Sequence, residues 1–327
     1  MVGLKPPQIA CKESPLDLEE VWQIECFLLK IFEYGNYSFR RALFGTYHED
    51  LKCVFYLAYD SDEIIGAAGA LFSADRPFSA IFSPVAVEPD FQRRGIATEI
   101  CGKLLDALKS RGITQVYLAV SQGHPARELY RRLGFSDYTG IVMRKNLCSC
   151  DPGNSDKCLN IICQELSWQD YAEVLALLCE PSVFMTFDYH QGLFSSRYEP
   201  VKRFLPVFPE MMQRLEKNEG CTKVLKRDGV AEVVGLAQIC GLQSKLQRHV
   251  AYLDFFAKDG YTNVQCFVKD IILEHKARQE CQILTWVPEP DELKKMILEN
   301  LGARRVAMLP NAIIFANKMY NVEVFQF

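Results

Sequence analysis

Residues 85–97 read VAVEPDFQRRGIA, and this stretch decides how the first half of the chain folds. Its first residues end an apolar, β-rich run that starts at Phe78, which predicts a strand over residues 78–87. After Gly95 the apolar residues recur every four positions, at Ile96, Ile100, Leu104 and Leu108. This spacing predicts an amphipathic helix that ends at Gly112. The quoted stretch is therefore a strand, a short turn and the start of a helix.

The glycine at the start of this helix indicates a binding site for an anion. The main-chain N–H groups of a first helical turn have no intrahelical acceptor, and together with the helix dipole they attract negative charge. Gly95 would let the backbone come close to a phosphate, and Arg93 and Arg94 add positive charge. Two simpler interpretations stay open at this point: the glycine serves only the turn, and the arginines form a solvated face.

The pattern around this stretch predicts an α/β domain with a mixed sheet. The predicted elements are a strand over residues 8–13, a helix over 16–32, a loop that includes 34–37, a hairpin of strands 54–59 and 64–72, the strand and helix described above, a strand over 116–120, a helix over 125–133 and a last strand near 138–143. Strands and helices that alternate in this order build an α/β layer structure.

The second half repeats the order of the first. It contains a hairpin of strands 223–225 and 233–240, a strand over 250–257, a helix over 264–276, a strand over 283–287, a helix over 291–299 and terminal strands. Gly66 precedes Gly134 by 68 residues, and Gly235 precedes Gly302 by 67 residues in the matching elements. We interpret the chain as an internal duplication.

The boundary between the two copies is marked by composition. Residues 146–157, NLCSCDPGNSDK, are rich in Asn, Ser, Asp, Gly and Pro between two ordered-looking regions. A length of 327 residues is also typical of two domains. We predict a catalytic domain over residues 1–147, a linker over 148–158 and a second domain over 159–327.

The balance of charges argues against nucleic acid and membranes as partners. The chain has 37 basic and 41 acidic residues, so its formal net charge is −4 and no strongly basic footprint is expected. No stretch approaches the roughly 20 apolar residues that span a bilayer, and the first 14 residues, MVGLKPPQIACKES, lack the apolar core of a signal peptide. We expect a small molecule or an exposed protein group as partner, and the cytoplasm as compartment.

Thirteen scattered cysteines without a signal peptide predict reduced thiols rather than a disulfide framework. Four of them, Cys148, Cys150, Cys158 and Cys163, could supply thiolates to zinc. Their spacing is C-x-C followed by irregular gaps, whereas structural zinc sites typically show paired C-x-x-C spacing. We therefore predict no metal site.

Residues 85–97 resemble the signature of the GNAT superfamily of N-acetyltransferases, V-x-P-x-x-Q/R-x-x-G-x-G/A, through residues 92–97, QRRGIA. Residues 125–135, PARELYRRLGF, resemble the second diagnostic stretch of the same family. The two motifs have the order and separation that the family shows. The resemblance covers about the first 147 residues and reaches the remainder only through the order of elements, so it implies two tandem GNAT-like domains.

The resemblance implies acetyl-CoA as cosubstrate. The main-chain N–H groups of residues 93–98 would hold the CoA pyrophosphate. Strands 78–87 and 116–120 would splay apart and leave backbone groups for the pantetheine amides, and an N–H near Val85 would stabilise the oxyanion of the tetrahedral intermediate. The implied cofactor-binding residues are Val85, Ala86, Val87, Gln92, Arg93, Arg94, Gly95, Ile96, Ala97 and Thr98.

Tyr130 matches the tyrosine that stands near the CoA sulfur in this family, which implies a general acid. A tyrosine hydroxyl with a pKa of about 10 is protonated at neutral pH and can donate to a thiolate whose thiol has a pKa of about 8.5. Without the resemblance, Tyr130 is more typical of a half-buried helix tyrosine than of a catalytic residue. The family often has an asparagine seven residues earlier, where this chain has Gly123, which has no side chain to make a cofactor contact.

The residue that deprotonates the acceptor stays open. An alkylammonium with a pKa of about 10.4 must lose a proton before it can attack. Glu25, Glu33 and His48 lie where the family covers its acceptor site, although each is also typical of a solvated surface and water could carry the proton. Residues of the loop before the hairpin could line the acceptor pocket or simply pack, namely Tyr34, Asn36 and Tyr37.

The second half lacks the residues that carry this chemistry. Residues 258–265, KDGYTNVQ, stand where the first half has QRRGIA, and Leu298 takes the position of Tyr130. Core packing explains its aromatic residues Phe187, Tyr189, Tyr198 and Phe204.

We therefore predict an N-acetyltransferase whose first domain moves an acetyl group from acetyl-CoA to a primary amine by direct attack in a ternary complex. The alternatives are a non-catalytic acetyl-CoA-binding regulator and an interaction scaffold. Four kinds of acceptor stay open, namely an aminoglycoside-like amine, a polyamine, an amino acid and a protein amine, and so does the oligomeric state.

Overall fold

A computed structural model of the chain describes residues 6–32, 37–47, 49–148, 161–182, 184–186, 193–197, 200–229, 231–241, 249–260, 263–315 and 317–327. The fold divides into two compact units, the first made of Met1–Lys157 with Trp168–Glu173 and the second of Cys158–Ser167 with Val174–Phe327. Each unit contains one seven-stranded mixed sheet with helices packed on it. The predicted α/β fold class is confirmed.

The first unit carries seven strands and four helices in its continuous part. The strands are β1 (Gln8–Glu13), β2 (Leu51–Asp60), β3 (Glu63–Ser73), β4 (Ser79–Val87), β5 (Gln115–Ala119), β6 (Ser136–Thr139) and β7 (Val142–Asn146), and the helices are α1 (Leu18–Phe32), α2 (Tyr37–Leu43), α3 (Ile96–Ser110) and α4 (Ala126–Arg132). The strand order is β1-β2-β3-β4-β5-β7-β6, with one parallel pair, β4 and β5.

The later part of the chain has the same architecture. Its strands are β8 (Ile161–Glu165), β9 (Gly220–Arg227), β10 (Val233–Gly241), β11 (Val250–Ala257), β12 (Gln282–Pro288), β13 (Arg304–Phe315) and β14 (Lys318–Gln326), and its helices are α5 (Tyr171–Cys179), α6 (Pro200–Glu216), α7 (Val264–Arg278) and α8 (Glu292–Asn300). The strand order β8-β9-β10-β11-β12-β14-β13 is that of the first sheet, and β11 and β12 are again the parallel pair.

The predicted duplication is confirmed at the level of single residues. Gly66 pairs with the last residue of β4, and Gly235 pairs with the last residue of β11. Gly134 and Gly302 follow α4 and α8 with φ values of 88° and 90°. The helix before each glycine ends in the same hydrogen bond, from Phe135 N–H to the Tyr130 carbonyl (2.9 Å) and from Ala303 N–H to the Leu298 carbonyl (3.0 Å). Leu298 therefore occupies the position of Tyr130, as predicted.

The apolar stripe of α3 forms much of the core of the first unit. Ile96, Ile100, Leu104 and Leu108 are all buried, together with residues of β3 and β4. Burying one such side chain stabilises the fold by about 1.5–3 kcal/mol. This packing fixes α3 against the sheet and places its first turn directly after the β4 strand end.

Two predictions of local structure are wrong in detail. The single strand predicted near residues 138–143 is a hairpin of β6 and β7, because the chain reverses at Gly140, whose φ of 56° favours glycine. The predicted loop after α1 leads into the additional helix α2. Phe204 is buried on α6 against Phe208, as expected for packing, whereas Phe187, Tyr189 and Tyr198 lie outside the described residues.

A short segment that follows β8 along the chain belongs to the first unit. The Glu173 carboxylate is buried and accepts hydrogen bonds from the main-chain N–H groups of Phe78 (3.1 Å) and Ser79 (2.6 Å), where β4 begins. The Trp168 ring stacks on Tyr47 with centroids 3.6 Å apart. The first unit is therefore discontinuous in sequence.

The cysteines that the structure describes are free thiols. Two of the four residues weighed as zinc ligands, Cys150 and Cys158, lie outside the described residues, so the predicted absence of a metal site stays a prediction. Among the helices described, none combines the length and the apolar character needed to cross a membrane.

Candidate active site

The two parallel strands of the first unit splay apart. β4 pairs with β5 only from Ser79 to Ile81, opposite Gln115 to Tyr117. β4 then continues to Val87 while paired with β3 alone. An unpaired strand edge presents N–H and C=O groups to which an extended ligand can add as another strand. The splaying predicted for strands 78–87 and 116–120 is confirmed.

A β-bulge lies inside the splayed part of β4. Val85 pairs with Ala68 and Phe82 pairs with Ala70, so two residues of β4 face the single residue Gly69. A Cβ atom at Gly69 would lie 3.0 Å from the carbonyl oxygen of Ser83. The glycine thus accommodates the bulge, and the bulge redirects the backbone groups of residues 85–87, which were predicted to face the cosubstrate.

The loop after β4 is held together by its own side chains. Gln92 donates from Nε2 to the Val87 carbonyl (3.1 Å), and Arg94 donates from Nη2 to the Asp90 carbonyl (2.7 Å). The Arg94 guanidinium also lies over the Phe91 ring, 4.9 Å from its centroid. Gln92 and Arg94, which were predicted to bind the cosubstrate, therefore stabilise the loop by donating to its main-chain carbonyl groups.

The start of α3 leaves several N–H groups for an external acceptor. The first intrahelical hydrogen bond to Gly95 comes from Glu99, at 3.0 Å, so the N–H groups of Ile96, Ala97 and Thr98 precede the helical ladder. Gly95 is the N-cap residue, with a φ of 84° and no capping side chain. A Cβ atom built on it would meet no heavy atom within 4 Å, so the space above this turn is open.

The predicted binding residues around this turn play different parts. The Ile96 side chain is buried in the core and anchors the helix, whereas the side chains of Gln92, Arg93, Arg94 and Thr98 are exposed. Arg93 has a φ of 60° in the left-handed region, which helps to turn the main chain toward the helix start. The loop thus combines exposed positive charge with free main-chain donors.

Tyr130 lies on α4 in the same core cluster as the splayed part of β4. Its ring packs edge-on against Phe135, with centroids 5.9 Å apart, and Phe135 in turn contacts Phe82 of β4. Burial raises the pKa of Tyr130 well above its usual value, and the nearby Cys101 thiol adds to this effect. The hydroxyl is therefore protonated throughout the physiological pH range and can act as a donor.

The candidates for the base are reduced by the structure. Both carboxylate oxygens of Glu25 accept from Arg40 Nε, at 2.8 and 2.7 Å, so this side chain is engaged in a two-pronged ion pair. The Glu25 carboxylate is therefore already paired with Arg40. Glu33, Tyr34, Asn36 and His48 lie outside the described residues, as does the side chain of Tyr37.

A group of charged residues around α4 was not predicted from the sequence. Arg127 is buried and donates from Nη1 to the Val120 carbonyl (2.7 Å) and from Nη2 to Asp137 of β6. Arg131 also donates to Asp137, at 2.9 Å, and the hydrogen bonds from Arg131 and Arg127 lower the pKa of that carboxyl. The available signal was an arginine three residues before Tyr130 on the buried side of a helix.

The end of β5 has no free main-chain groups at Val120. Its N–H donates to the Ile141 carbonyl (2.9 Å), and its carbonyl accepts from Arg127. The groups available to a ligand at the splay are therefore expected mainly along β4. Beyond Val120 lies an open cavity of about 490 Å³, lined by Gln122, Gly123, His124, Pro125, Arg127, Glu128, Arg131, Asp137 and Gly140.

The corresponding strands of the second unit also splay, but without the bulge. β11 pairs with β12 only from Val250 to Tyr252, and its pairing with β10 runs from Ala251 to Ala257 without a break in register. Side chains and backbone groups of the second unit connect β11 to α8. Lys294 of α8 donates to Asp254 of β11 and to the Met185 carbonyl, both at 2.6 Å.

Further contacts close the same region of the second unit. The Met185 N–H donates to the Asp291 carboxylate (2.6 Å), and Ser182 Oγ donates to the Ala257 carbonyl (3.0 Å) at the end of β11. Next to this strand end, Lys258 is paired with Glu232 and Glu180. The loop that follows β11 therefore carries no excess of positive charge among these residues.

Comparison with known proteins places these features in a family. The family model described as the Acetyltransferase (GNAT) family matches residues 16–135. The chain is similar to the ribosomal protein bS18-alanine N-acetyltransferase of Salmonella typhimurium, with 31% identity over 144 residues that span 44% of this chain and 88% of that protein. It is also similar to the enzyme of the same name from Escherichia coli, with 34% identity over 73 residues, 22% of this chain and 47% of that protein.

A solved structure, the GNAT-family acetyltransferase from Streptococcus pneumoniae, aligns with a TM-score of 0.42 and 15% identity over 51% of this chain and 98% of that chain. The family match falls on the unit that contains the splayed, bulged β4 and the glycine-started α3. The chain therefore belongs to the GNAT family, as an acyltransferase built from two tandem GNAT-like α/β domains.

Proposed function

We propose that the first unit binds acetyl-CoA and transfers its acetyl group to a primary amine by direct attack in a ternary complex. The strongest support for this proposal is that two backbone regions with groups available to a ligand lie at the same end of β4. One is the open edge of β4 beyond Ile81, and the other is the free first turn of α3 after Gly95. An extended amide chain with a phosphate group at one end matches this combination.

In this proposal the main-chain N–H groups of residues 93–98 hold the pyrophosphate, because a helix start and its dipole favour negative charge. The edge of residues 85–87 bonds the pantetheine amides, and an N–H near Val85 stabilises the oxyanion as it forms. Acetyl-CoA supplies an activated thioester. No residue of the chain forms a covalent intermediate.

Tyr130 is the proposed general acid. Its raised pKa keeps the hydroxyl protonated, and donation of that proton to the departing thiolate completes the transfer. Arg40 already engages Glu25, so we propose that water or a residue outside the described part of the chain removes the proton from the acceptor amine.

The proposed division of labour follows the sequence boundaries, except that Trp168–Glu173 packs in the first unit. Residues 1–147 form the catalytic domain, residues 148–158 link the two copies, and residues 159–327 form a degenerate copy without a cosubstrate site. The second copy lacks the bulge, the glycine-started helix and the tyrosine. One acetyl-CoA should therefore bind per chain.

The acceptor is proposed from the relatives. The proteins similar to this chain are named for the acetylation of an alanine in a ribosomal protein. A peptide with an N-terminal alanine is therefore the first acceptor to test, before free polyamines and aminoglycosides.

The test is release of the CoA thiol from acetyl-CoA with each of these amines, for the wild type and for Tyr130→Phe. We expect Tyr130→Phe to lower kcat by about 100-fold with little change in acetyl-CoA affinity, because only the proton donor is lost. Tyr117→Phe is the control, since this tyrosine is also buried in the first unit but its hydroxyl bonds to Gln115.

Turnover unchanged by Tyr130→Phe at every pH would remove the acid role from this residue. Acetyl-CoA binding without thiol release for any amine would instead favour a non-catalytic regulator.

A further inference from the structure

We infer that Arg127 is a positioning residue for acetyl transfer: it fixes α4, and with it Tyr130, against the ends of β5 and β6. This inference rests on the proposed function. It concerns a residue of the stretch 125–135 that had no predicted role, and it is carried by the contacts of its guanidinium group.

The Arg127 guanidinium joins three elements. It projects from α4, donates to the Val120 carbonyl at the end of β5 (2.7 Å) and donates to the Asp137 carboxylate on β6. The Arg127 side chain is only 8% exposed, whereas its partner Asp137 is 53% exposed, so water competes little with the bond to the Val120 carbonyl and more with the bond to Asp137. A planar group with several fixed donors can hold two acceptors in a defined relative position, which a lysine cannot do.

Helix α4 needs such a connection because it is short. It spans seven residues, and helices below about 12 residues are marginal on their own and depend on tertiary contacts. At its start the His124 Nδ1 accepts from the Ala126 N–H (3.2 Å), and at its other end Lys145 donates to the Leu133 carbonyl (2.6 Å). Arg127 is the buried charged contact at the opposite end of the helix from Lys145.

Tyr130 depends on the same helix for its position. It follows Arg127 by three residues, close to one helical turn, so any shift or rotation of α4 moves both side chains together. The Tyr130 carbonyl also accepts the bond from Phe135 that ends the helix. Since a misplacement of about 1 Å can cost about 100-fold in rate, loss of the Arg127 contacts should be felt at the Tyr130 hydroxyl.

Arg131 provides a matched control on the same helix. It donates to the other oxygen of Asp137, at 2.9 Å, but its side chain is 49% exposed and it bonds to Asp137 and Glu128 at the surface. It carries the same charge and shares the same carboxylate partner. Exposed pairs of this kind contribute little to stability or position.

The experiment is a double-mutant cycle between Arg127→Met and Tyr130→Phe in the full chain, with thiol release and acetyl-CoA affinity as readouts. We expect Arg127→Met to lower kcat by about 10- to 100-fold while the acetyl-CoA dissociation constant changes less than about threefold. In the Tyr130→Phe background the same substitution should have almost no further effect, because the group that it positions is gone. Arg131→Met should change kcat less than about threefold.

Two further variants guard against a folding defect. Arg127→Lys keeps the charge and one bond, so it should restore part of the lost kcat, and Asp137→Asn should leave the Val120 contact in place and cause a smaller loss. If Arg127→Met does not fold, Arg127→Lys takes its place in the cycle.

If Arg127→Met lowers kcat by the same factor in the wild type and in Tyr130→Phe, the positioning role of Arg127 is wrong and the role of Tyr130 still stands. The same holds for an equal loss with Arg131→Met. If Tyr130→Phe alone has no effect on kcat, both the proposed acid and the positioning role of Arg127 are wrong. This outcome differs from equal losses in the two backgrounds, which contradict only the positioning role.

Discussion

The two sheets of this chain share one topology, yet they differ at the strand end where the chemistry is proposed. In both, the central parallel strands pair over three residues and then separate. In the first unit the separated strand contains a bulge and leads into a helix that starts at a glycine. In the second unit the strand is regular, and Lys294 with Met185 bridges it to α8.

Splaying is common to both sheets, whereas the two strand ends differ in local backbone geometry and charge. One extra residue in β4 and one glycine before α3 separate an open strand end from a closed one. The charges differ in the same sense, since Arg93 and Arg94 are exposed beside the first loop while Lys258 is neutralised by two glutamates beside the second.

The largest expected effect comes from introducing a carboxylate at the start of α3. Gly95→Glu places a Cβ atom on a residue with a φ of 84° and a negative charge where phosphate is proposed to bind. We expect acetyl-CoA affinity, measured by calorimetry, to fall by at least about 100-fold. Gly260→Glu in the loop after β11 is the matched control, because that glycine has a φ of 88° and equally open surroundings.

The opposite results would contradict the proposed difference between the two units. Retained affinity in Gly95→Glu together with lost affinity in Gly260→Glu would move the cosubstrate site to the second unit. Two binding sites in the wild type would show that both strand ends are open in solution.

The second effect concerns the buried lysine that bridges β11 and α8. Lys294 has no exposed side-chain surface, and Lys294→Met leaves Asp254 without this cation, which should lower the free energy of unfolding by about 3–5 kcal/mol. Urea unfolding measures this change, with the exposed Lys269→Met on α7 as control. Acetyl-CoA stoichiometry should stay at one, and a second site in Lys294→Met would show that this ion pair alone closes the second unit.

The smallest effect is a difference in pH sensitivity. His275 is buried on α7, its Nε2 has no hydrogen-bond partner among the described residues, and burial, followed by the charge of Arg278, lowers its pKa. The folded chain therefore binds this proton less readily than the unfolded chain. The stability associated with neutral His275 is complete above about pH 6.5 and is lost as the pH falls, by at most about 1.4 kcal/mol per pH unit.

His275→Leu should remove this part of the pH dependence. Comparing urea midpoints at pH 7.5 and 5.5, we expect a smaller loss in His275→Leu than in the wild type. The exposed His249→Leu is the control, and equal losses in all three proteins would assign the pH dependence to other groups.

The elements that the sequence predicts best are those with strong periodicity. The four-residue spacing of Ile96, Ile100, Leu104 and Leu108 predicted α3, and the spacing of four glycines predicted the duplication, because core burial and helix ends constrain these residues directly. The hairpin of β6 and β7 was missed because a single glycine, Gly140, reverses an otherwise continuous run.

The parts of the site that could not be predicted depend on contacts distant in sequence. The bulge opposite Gly69 is visible only in the pairing of β3 with β4. The Arg127 bonds join residues on three elements, and the closure of the second unit needs residue 185 beside residues 254 and 294. The cosubstrate residues themselves were proposed from motif positions and stay a prediction.

The Glu173 carboxylate also has a consequence for synthesis of the protein. Translation proceeds from the N-terminus at about 5–20 residues per second, so residue 173 is made roughly 1–5 s after β7 is complete. Until it emerges, the N–H groups of Phe78 and Ser79 lack this acceptor and Tyr47 lacks its stacking partner. When the last strand of its own sheet has been synthesised, the first unit therefore still lacks these contacts. It can form them only after the first residues of the second copy have been made.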